Sequence, residues 1–191
     1  MNNEIAQIMV TGGIGVGKTS IIRRANGESL EHIYTPAIQE DKINSLDING
    51  KNINYTLTDM PGGDFAQMRF VLYKKMHAFV FVIDISNQNS IEDFTNIYQE
   101  IKNNMENSKD LIFCIALNKI DLRETNDSQN LIPTEKIDDI EKQYNCKIIE
   151  TSAKEDIHIT ELFTEIISKL MNSQSYTRQS KKEDKGKCRI E

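Results

Sequence analysis

Short apolar runs alternate along this chain with longer segments in which apolar residues recur at helical spacing. Three apolar runs predict buried strands, at residues 5–10, 78–85 and 111–117, and residues 147–150 are predicted as a further short strand. Helical spacing predicts four helices, at residues 19–25, 90–105, 133–144 and 162–170. Ser90, with Asp93 three residues later, is the predicted N-cap of the second helix.

Two further segments, residues 43–48 and 53–58, alternate apolar and polar positions around Asn49-Gly50, a dipeptide typical of tight β-hairpin turns. The order of elements is therefore one βα unit, a hairpin and repeated αβ units. It predicts an α/β fold with a six-stranded, mostly parallel sheet, one antiparallel strand and helices on both faces. Ligands bind such sheets beyond the carboxyl ends of the strands, so those loops are expected to carry the chemistry.

Apolar residues become scarce after Met171, which predicts a folded domain over residues 1–171 and a flexible tail over residues 172–191. The whole chain has 191 residues and a formal net charge of −6. This acidic balance excludes nucleic acid as a general partner, because that binding needs Lys and Arg to neutralise phosphates. Residues 178–191, in contrast, carry six basic and three acidic side chains, which suits an anionic membrane surface.

The three cysteines, Cys114, Cys146 and Cys188, are too few and too widely spaced for a disulfide framework or a zinc site. We therefore expect a reducing, cytoplasmic compartment. The first residues show no signal-peptide pattern, and the longest apolar run, residues 78–83, is far shorter than the roughly 20 residues that span a bilayer.

The loop after the first predicted strand matches G-x-x-x-x-G-K-[ST], with Lys18 and Thr19 at its end. Its glycines let consecutive backbone N–H groups face an anion, and the following helix adds its positive end. Lys18 can reach the β- and γ-phosphates of a nucleotide, while the Thr19 hydroxyl can ligate Mg²⁺. A glycine-rich turn with a solvated lysine is the weaker alternative. The candidate phosphate-binding residues are Gly13, Ile14, Gly15, Val16, Gly17, Lys18, Thr19 and Ser20.

Asp59 and Gly62 form a D-x-x-G motif directly after the second strand of the hairpin. A carboxylate at a strand end near a phosphate loop is a common second anchor for Mg²⁺, so Thr19 and Asp59 are the candidate metal ligands. Lys18 and Gly62 are the candidate catalytic positions.

Asn118-Lys119-Ile120-Asp121 follows the strand predicted at residues 111–117, and Ser152-Ala153-Lys154 follows the next strand. A carboxylate at Asp121 accepts both the N1–H and the exocyclic amine of guanine. Adenine lacks this pair of donors and would leave Asp121 unpaired, which disfavours an ATPase or a nucleotide kinase. The Lys119 stem can cover the base, and backbone N–H groups of the second loop can receive the guanine O6. The candidate guanine-binding residues are Asn118, Lys119, Asp121, Ser152, Ala153 and Lys154.

Taken in order, these four motifs resemble those of the Ras superfamily of small GTPases, and the resemblance covers residues 5–171. It implies a P-loop NTPase fold and a monomeric switch that binds GTP or GDP with Mg²⁺ and hydrolyses GTP. It also implies effectors, an exchange factor and a GTPase-activating protein, in signalling or vesicle traffic. Ras-like and Rab-like branches fit equally well, and a constitutively GTP-bound scaffold is the alternative function.

Tyr34, Pro36 and Ala37 resemble the effector loop called switch I, but the family usually has Thr at the position of Ala37. That Thr ligates Mg²⁺ and senses the γ-phosphate, and Ala37 has no hydroxyl for this. A shift of the loop that brings in Thr35 is the alternative. Because order in such loops depends on γ-phosphate and Mg²⁺ contacts, a weaker or differently built switch is expected.

Three further departures concern hydrolysis and the base. Gly63 stands where the family usually has the Gln that orients the attacking water, with Asp64 as one replacement and a rebuilt site elsewhere as another. Ile14 occupies a position that is small in many relatives, so it obstructs an arginine finger from a partner. Leu30 replaces an aromatic residue that flanks guanine, which predicts faster nucleotide release.

Cys188 lies four residues from the end, which suggests C-terminal prenylation. Arg189 and Glu191 fit that motif poorly, so a free thiol in a solvated tail is the alternative. Nearby Lys and Arg residues supply the second signal that a lipid anchor needs. A peripheral position on the cytoplasmic face of a membrane is therefore compatible with the tail.

Overall fold

A computed structural model describes residues 5–30, 42–60, 71–105, 111–124 and 131–173, which include six strands, four α-helices and a short 3₁₀-helix (Ile120–Glu124). The strands are β1 (Ala6–Gly12), β2 (Ile43–Ile48), β3 (Lys51–Asp59), β4 (Ala78–Asp84), β5 (Phe113–Asn118) and β6 (Ile148–Glu150). The helices are α1 (Lys18–Ala25), α2 (Asn89–Asn104), α3 (Thr134–Tyr144) and α4 (Ile159–Asn172). Among these helices none is long and apolar enough to cross a membrane.

The strands form one sheet in the order β2-β3-β1-β4-β5-β6, with β2 antiparallel and the other five parallel. The antiparallel pair depends on Asn49 and Gly50, whose φ angles of 54° and 78° give the left-handed turn that a two-residue hairpin needs. The predicted α/β fold, with its mostly parallel sheet and one antiparallel strand, is confirmed.

Alternate residues of the central strands point to opposite sides of the sheet, and helices cover both sides, so both faces are buried. Val10 packs with Ile21 of α1 and Phe163 of α4 on one face. Met9 packs with Phe94 of α2, and α3 covers the same face. All seven residues of β4 are buried, which explains why this strand appears in the sequence as a continuous apolar run.

The predicted N-cap at Ser90 is wrong. Helix α2 begins at Asn89, so Ser90 lies inside the first turn, where it is fully buried. Its hydroxyl accepts a hydrogen bond from the Asp84 backbone N–H at 3.2 Å and contacts the Asn87 carbonyl oxygen at 2.5 Å. The side chain is therefore used to satisfy backbone groups at the end of β4, which a short buried loop leaves unpaired.

The boundary predicted at residue 171 lies next to the end of α4, and it stays a prediction. The described residues end at position 173, so the tail and Cys188 lie outside them.

Cys114 and Cys146 are free thiols in the core. Burial raises the pKa of the Cys114 thiol to about 12 and that of the Cys146 thiol to about 11. Because the thiolate is the reactive form, both cysteines are expected to be inert in the folded protein.

We expect a Cys188→Ser variant to show no prompt reaction with a thiol-specific reagent at pH 8. About 0.1% or less of each core thiol is ionised there, and neither is accessible. Unfolding in guanidinium should release two reactive thiols per chain, measured by absorbance of the reagent. Stoichiometric labelling of the folded variant would show that one of these cysteines is not buried as described.

Candidate functional site

The loops that follow β1, β3, β5 and β6 carry the predicted site residues, and the structure brings them together at one edge of the sheet. Thr19, after the phosphate loop, contacts Asp59 at the end of β3. Asn118, at the end of β5, contacts both the phosphate loop and the loop after β6. This is the carboxyl edge of the parallel strands, where ligands of open α/β sheets bind.

Two positions of the phosphate loop need glycine because neighbouring side chains lie too close for a Cβ, and not only because of turn geometry. Gly17 has φ +103°, which favours glycine, and a Cβ there would collide with the Asn118 side-chain nitrogen. A Cβ at Gly13 would collide with the Asp93 carboxylate, which lies on α2. The loop is therefore fitted between β5 and α2, and a larger residue at either glycine would force the loop or the facing Asn118 or Asp93 side chain to shift.

Lys18 begins α1, and its side chain folds back over the phosphate loop. The ammonium donates to the carbonyl oxygens of Gly12 at 3.1 Å and Gly13 at 2.6 Å. Burial lowers the pKa of Lys18, and the charges of Asp59 and Asp93 oppose this effect. An ammonium has three N–H donors, so one is available for phosphate oxygens.

The two candidate metal ligands contact each other directly. The Thr19 hydroxyl donates to Asp59 Oδ2 at 2.5 Å, and Asp59 Oδ1 is buried with no hydrogen-bond partner among the described residues. Burial raises the pKa of Asp59, whereas the Thr19 hydrogen bond and the Lys18 charge lower it. A hydroxyl and an unsatisfied carboxylate oxygen are the hard donors that Mg²⁺ takes, alongside water and substrate phosphates. These residues therefore fit the metal that the sequence implies.

Asn118 links the phosphate loop to the loop after β6. Its side chain is 2% exposed, and Nδ2 donates to the Val16 carbonyl at 2.9 Å. Oδ1 accepts from the Ala153 backbone N–H at 3.1 Å and from the Thr151 hydroxyl at 3.4 Å. The predicted phosphate-binding and base-binding groups are thus held at a fixed separation by one carboxamide.

Asp121 and Ser152 meet at the base end of this edge. The Ser152 hydroxyl donates to Asp121 Oδ1 at 2.6 Å, while Lys154 Nζ lies 3.8 Å from Oδ2. The Asp121 side chain is only 11% exposed, so it is partly desolvated. In the segment Ser152-Ala153-Lys154, the Ala153 N–H already donates to Asn118. The Lys154 N–H is therefore the one that can donate to a base.

The loops that carry the candidate guanine-binding residues, 118–121 at the end of β5 and 152–154 after β6, are called the base loops below. Two residues that the sequence did not single out hold them in place. Asp84, at the end of β4, forms a 2.7 Å ion pair with Lys119, and Arg24 of α1 donates to the Ala153 carbonyl at 2.8 Å. Asp84 lies opposite Asn118 in the β4–β5 register, so strand pairing could have identified it. The Arg24 contact joins residues 129 positions apart and leaves no local signal.

Other predicted positions are exposed or lie outside the described residues. Ile14 is 79% exposed at the phosphate loop, and Leu30 packs partly buried against the core on the α1 side. The remaining positions, for which the structure describes nothing, are Tyr34, Thr35, Pro36, Ala37, Gly62, Gly63, Asp64 and Cys188.

Comparison with known proteins agrees with this arrangement. The model of the Ras family matches residues 7–172. GTP-binding protein Di-Ras1 of Homo sapiens is 26% identical over 163 residues, covering 85% of this chain and 80% of that protein. Di-Ras2 of Macaca fascicularis is 27% identical, with 96% of each chain covered. Ras-related protein Rab-13 of Bos taurus is 25% identical, with 86% of this chain and 79% of that protein covered.

The match includes nearly all the described residues, and all four loops at the carboxyl edge fall within it. Similarity to both Di-Ras and Rab proteins leaves the branch open. The chain therefore belongs to the Ras family, as a small GTPase of the kind that switches between GTP and GDP with Mg²⁺.

Proposed function

We propose that this chain binds GTP and GDP through the residues assembled at the carboxyl edge. The phosphates occupy the loop at Gly13–Ser20, Thr19 and Asp59 hold Mg²⁺, and the base lies between Lys119 and Asp121. The observation that carries this proposal is the Asn118 side chain, which fixes the phosphate and base loops at one separation. Such pre-organisation reduces the entropy lost when a nucleotide binds.

Recognition of guanine depends on the Asp121 carboxylate. One oxygen accepts from Ser152, and each carboxylate oxygen has a further lone pair for the base. The N1–H and exocyclic amine of guanine satisfy these acceptors, whereas adenine leaves a partly buried charge without donors. We infer a strong preference for GTP over ATP.

Asp121→Asn tests this assignment. The Asn side chain can still accept from Ser152, but it then presents its N–H₂ where guanine also presents donors. We expect guanine nucleotide affinity to fall about 10- to 100-fold. Affinity for xanthine nucleotides should rise, because xanthine has a carbonyl where guanine has its exocyclic amine. Equilibrium titration with GDP and with xanthosine diphosphate measures the two changes in affinity. Unaltered GDP affinity would show that the base lies elsewhere, and tighter binding of ATP than GTP by the parent protein would favour an ATPase.

Hydrolysis by this chain is proposed to be slow. A water oxygen must attack the γ-phosphorus while the bond to the β–γ bridging oxygen breaks. Lys18 stabilises charge on the phosphates, and Mg²⁺ when bound neutralises more of it. Gly63 has no side chain to orient the water, and Ala37 has no hydroxyl to sense the γ-phosphate.

Ile14 is proposed to limit stimulation by a partner as well. It is branched and 79% exposed at the phosphate loop, so it occupies space that an arginine finger would need. Where such a finger operates, it accelerates hydrolysis by roughly 10³- to 10⁵-fold. An activating protein for this chain would therefore have to use another geometry.

Single-turnover hydrolysis of GTP loaded on the purified protein tests the low rate. We expect a rate constant below about 10⁻⁴ s⁻¹, and about a tenfold rise in a Gly63→Gln variant, which regains a water-orienting amide. Phosphate release measured over hours provides the rate. A parent rate typical of small GTPases would overturn the proposal and indicate that water is positioned by other residues.

A constitutively GTP-bound scaffold is the second candidate function, and the combination of Ala37 and Gly63 favours it. Both functions share the phosphate and base residues, so they differ only in turnover. Chromatography of the nucleotide extracted from freshly purified protein separates them: retained GTP supports a scaffold, and GDP supports a turning-over switch.

The cellular role is proposed as that of a cytoplasmic, monomeric switch in signalling or vesicle traffic. It would act through effectors that read the switch segments, an exchange factor and a GTPase-activating protein. The net positive charge of residues 178–191 supports peripheral attachment to an anionic membrane, with Cys188 as the lipidation site.

Intact-mass measurement of the protein from its native cells tests lipidation. We expect the membrane-bound fraction to carry the added mass of a prenyl group at Cys188, because a basic tail alone binds membranes weakly and reversibly. A Cys188→Ser variant should lose both the added mass and the membrane fraction. Unmodified Cys188 in the membrane fraction would contradict the proposal.

A further inference from the structure

Arg24, in the last turn of α1, reaches across to the loop that follows β6. Its Nε donates to the Ala153 carbonyl at 2.8 Å, and its Nη2 donates to the Lys154 carbonyl at 2.9 Å. The planar guanidinium thus holds two consecutive carbonyl groups with two donors in a fixed fork. None of the sequence motifs includes this residue, and it touches neither the phosphate loop nor Asp121 in the described contacts.

These two contacts fix the direction of a backbone donor. In a trans peptide the N–H points opposite to the carbonyl of the same group, and no cis peptide is present in the described chain. Because Arg24 draws the Ala153 carbonyl towards α1, the Lys154 N–H of that peptide points away from α1. The neighbouring N–H groups are occupied, since Ala153 donates to Asn118 and Glu155 donates to Ser152.

The Lys154 N–H has no hydrogen-bond partner within the ranges that the structure describes. It lies one residue from Ala153, whose N–H is bonded to Asn118, and the Lys154 ammonium is 3.8 Å from Asp121. Because Ser152, two residues earlier, donates to Asp121, this loop and its free donor lie beside the predicted base-binding residues. A base carbonyl there would satisfy it.

Helix α1 also connects this donor to the phosphate site. Lys18 and Arg24 lie six residues apart, which is about 9 Å along a helix axis. One rigid element thus holds the phosphate lysine at its start and the base loop near its end. Asn118 makes the same connection from β5, so the base loop is held from two sides.

We propose that Arg24 is a positioning residue for base recognition: it orients the Lys154 N–H towards the carbonyl at position 6 of a bound guanine. This inference rests on the proposed binding of guanine nucleotides. It adds that Arg24, which lies outside the four sequence motifs, slows dissociation of the nucleotide. Arg24 also sets the preference for an oxygen at position 6 of the base.

Lysine is a poor replacement for Arg24 in this role, because its ammonium on a flexible stem lacks the planar fork that aims two donors in fixed directions. Arg24→Lys keeps the charge and the helix propensity, so the fold and the overall electrostatics are preserved. Arg23→Lys is the matched control, since it makes the same chemical change one position earlier on the same helix. Thermal unfolding of both variants establishes that they remain folded.

The experiment measures dissociation of GDP and of 6-thio-GDP from the full-length parent and both variants. The analogue keeps the N1–H and the amine that Asp121 accepts, but places a weakly accepting sulfur at position 6. We expect Arg24→Lys to release GDP about tenfold faster, and to lose most of the parent's preference for GDP over 6-thio-GDP. Arg23→Lys should keep both quantities within about twofold of the parent.

Each contrary result has a distinct meaning. Equal acceleration of both nucleotides by Arg24→Lys indicates a merely structural role and overturns the inference, as does an unchanged GDP release rate. Equal release of the two nucleotides by the parent also overturns it, because position 6 is then not read. If the parent binds no guanine nucleotide, the proposed function itself fails.

Discussion

The Asn118 carboxamide is the contact on which the arrangement of the site depends. It is buried at the end of β5, where it donates to Val16 in the phosphate loop and accepts from Ala153 in the base loop. Removing it would leave a buried carbonyl and a buried N–H without partners, each at a cost of about 1–3 kcal/mol. It also explains Gly17, because any side chain there would occupy the space of the amide.

The sheet makes this contact possible by holding the strand ends in register. Val10 and Met9 anchor β1 in two separate cores, so that the loop after β1 cannot slide relative to β5. Helix α1 then starts at Lys18 and carries Arg24 to the base loop, which fixes the same separation a second time. The site is therefore built on packed strands and a helix, the elements that hold functional groups most accurately.

Nucleotide binding and nucleotide hydrolysis place different demands on this chain. In the proposed function, binding uses the phosphate loop, the Thr19–Asp59 pair and the base loops, and these residues lie together in the structure. In the proposed function, hydrolysis also needs an oriented water, for which Gly63 has no side chain, and a sensed γ-phosphate, for which Ala37 has no hydroxyl. A protein of this design can keep its affinity for GTP while turnover becomes slow, which is why rate and affinity must be measured separately.

The sheet, its one antiparallel strand and the order of the site loops could all be predicted from the amino-acid sequence. Strand and helix periodicities are local, Asn49-Gly50 sets a local turn, and glycine-rich loops keep a fixed spacing. Which polar atoms meet could not be predicted in the same way. Ser90 bonds the end of β4 and does not cap α2, Asp84 pairs with Lys119, and Arg24 donates to Ala153. These contacts depend on how separate elements pack, and buried polar groups take whichever partners that packing brings within reach.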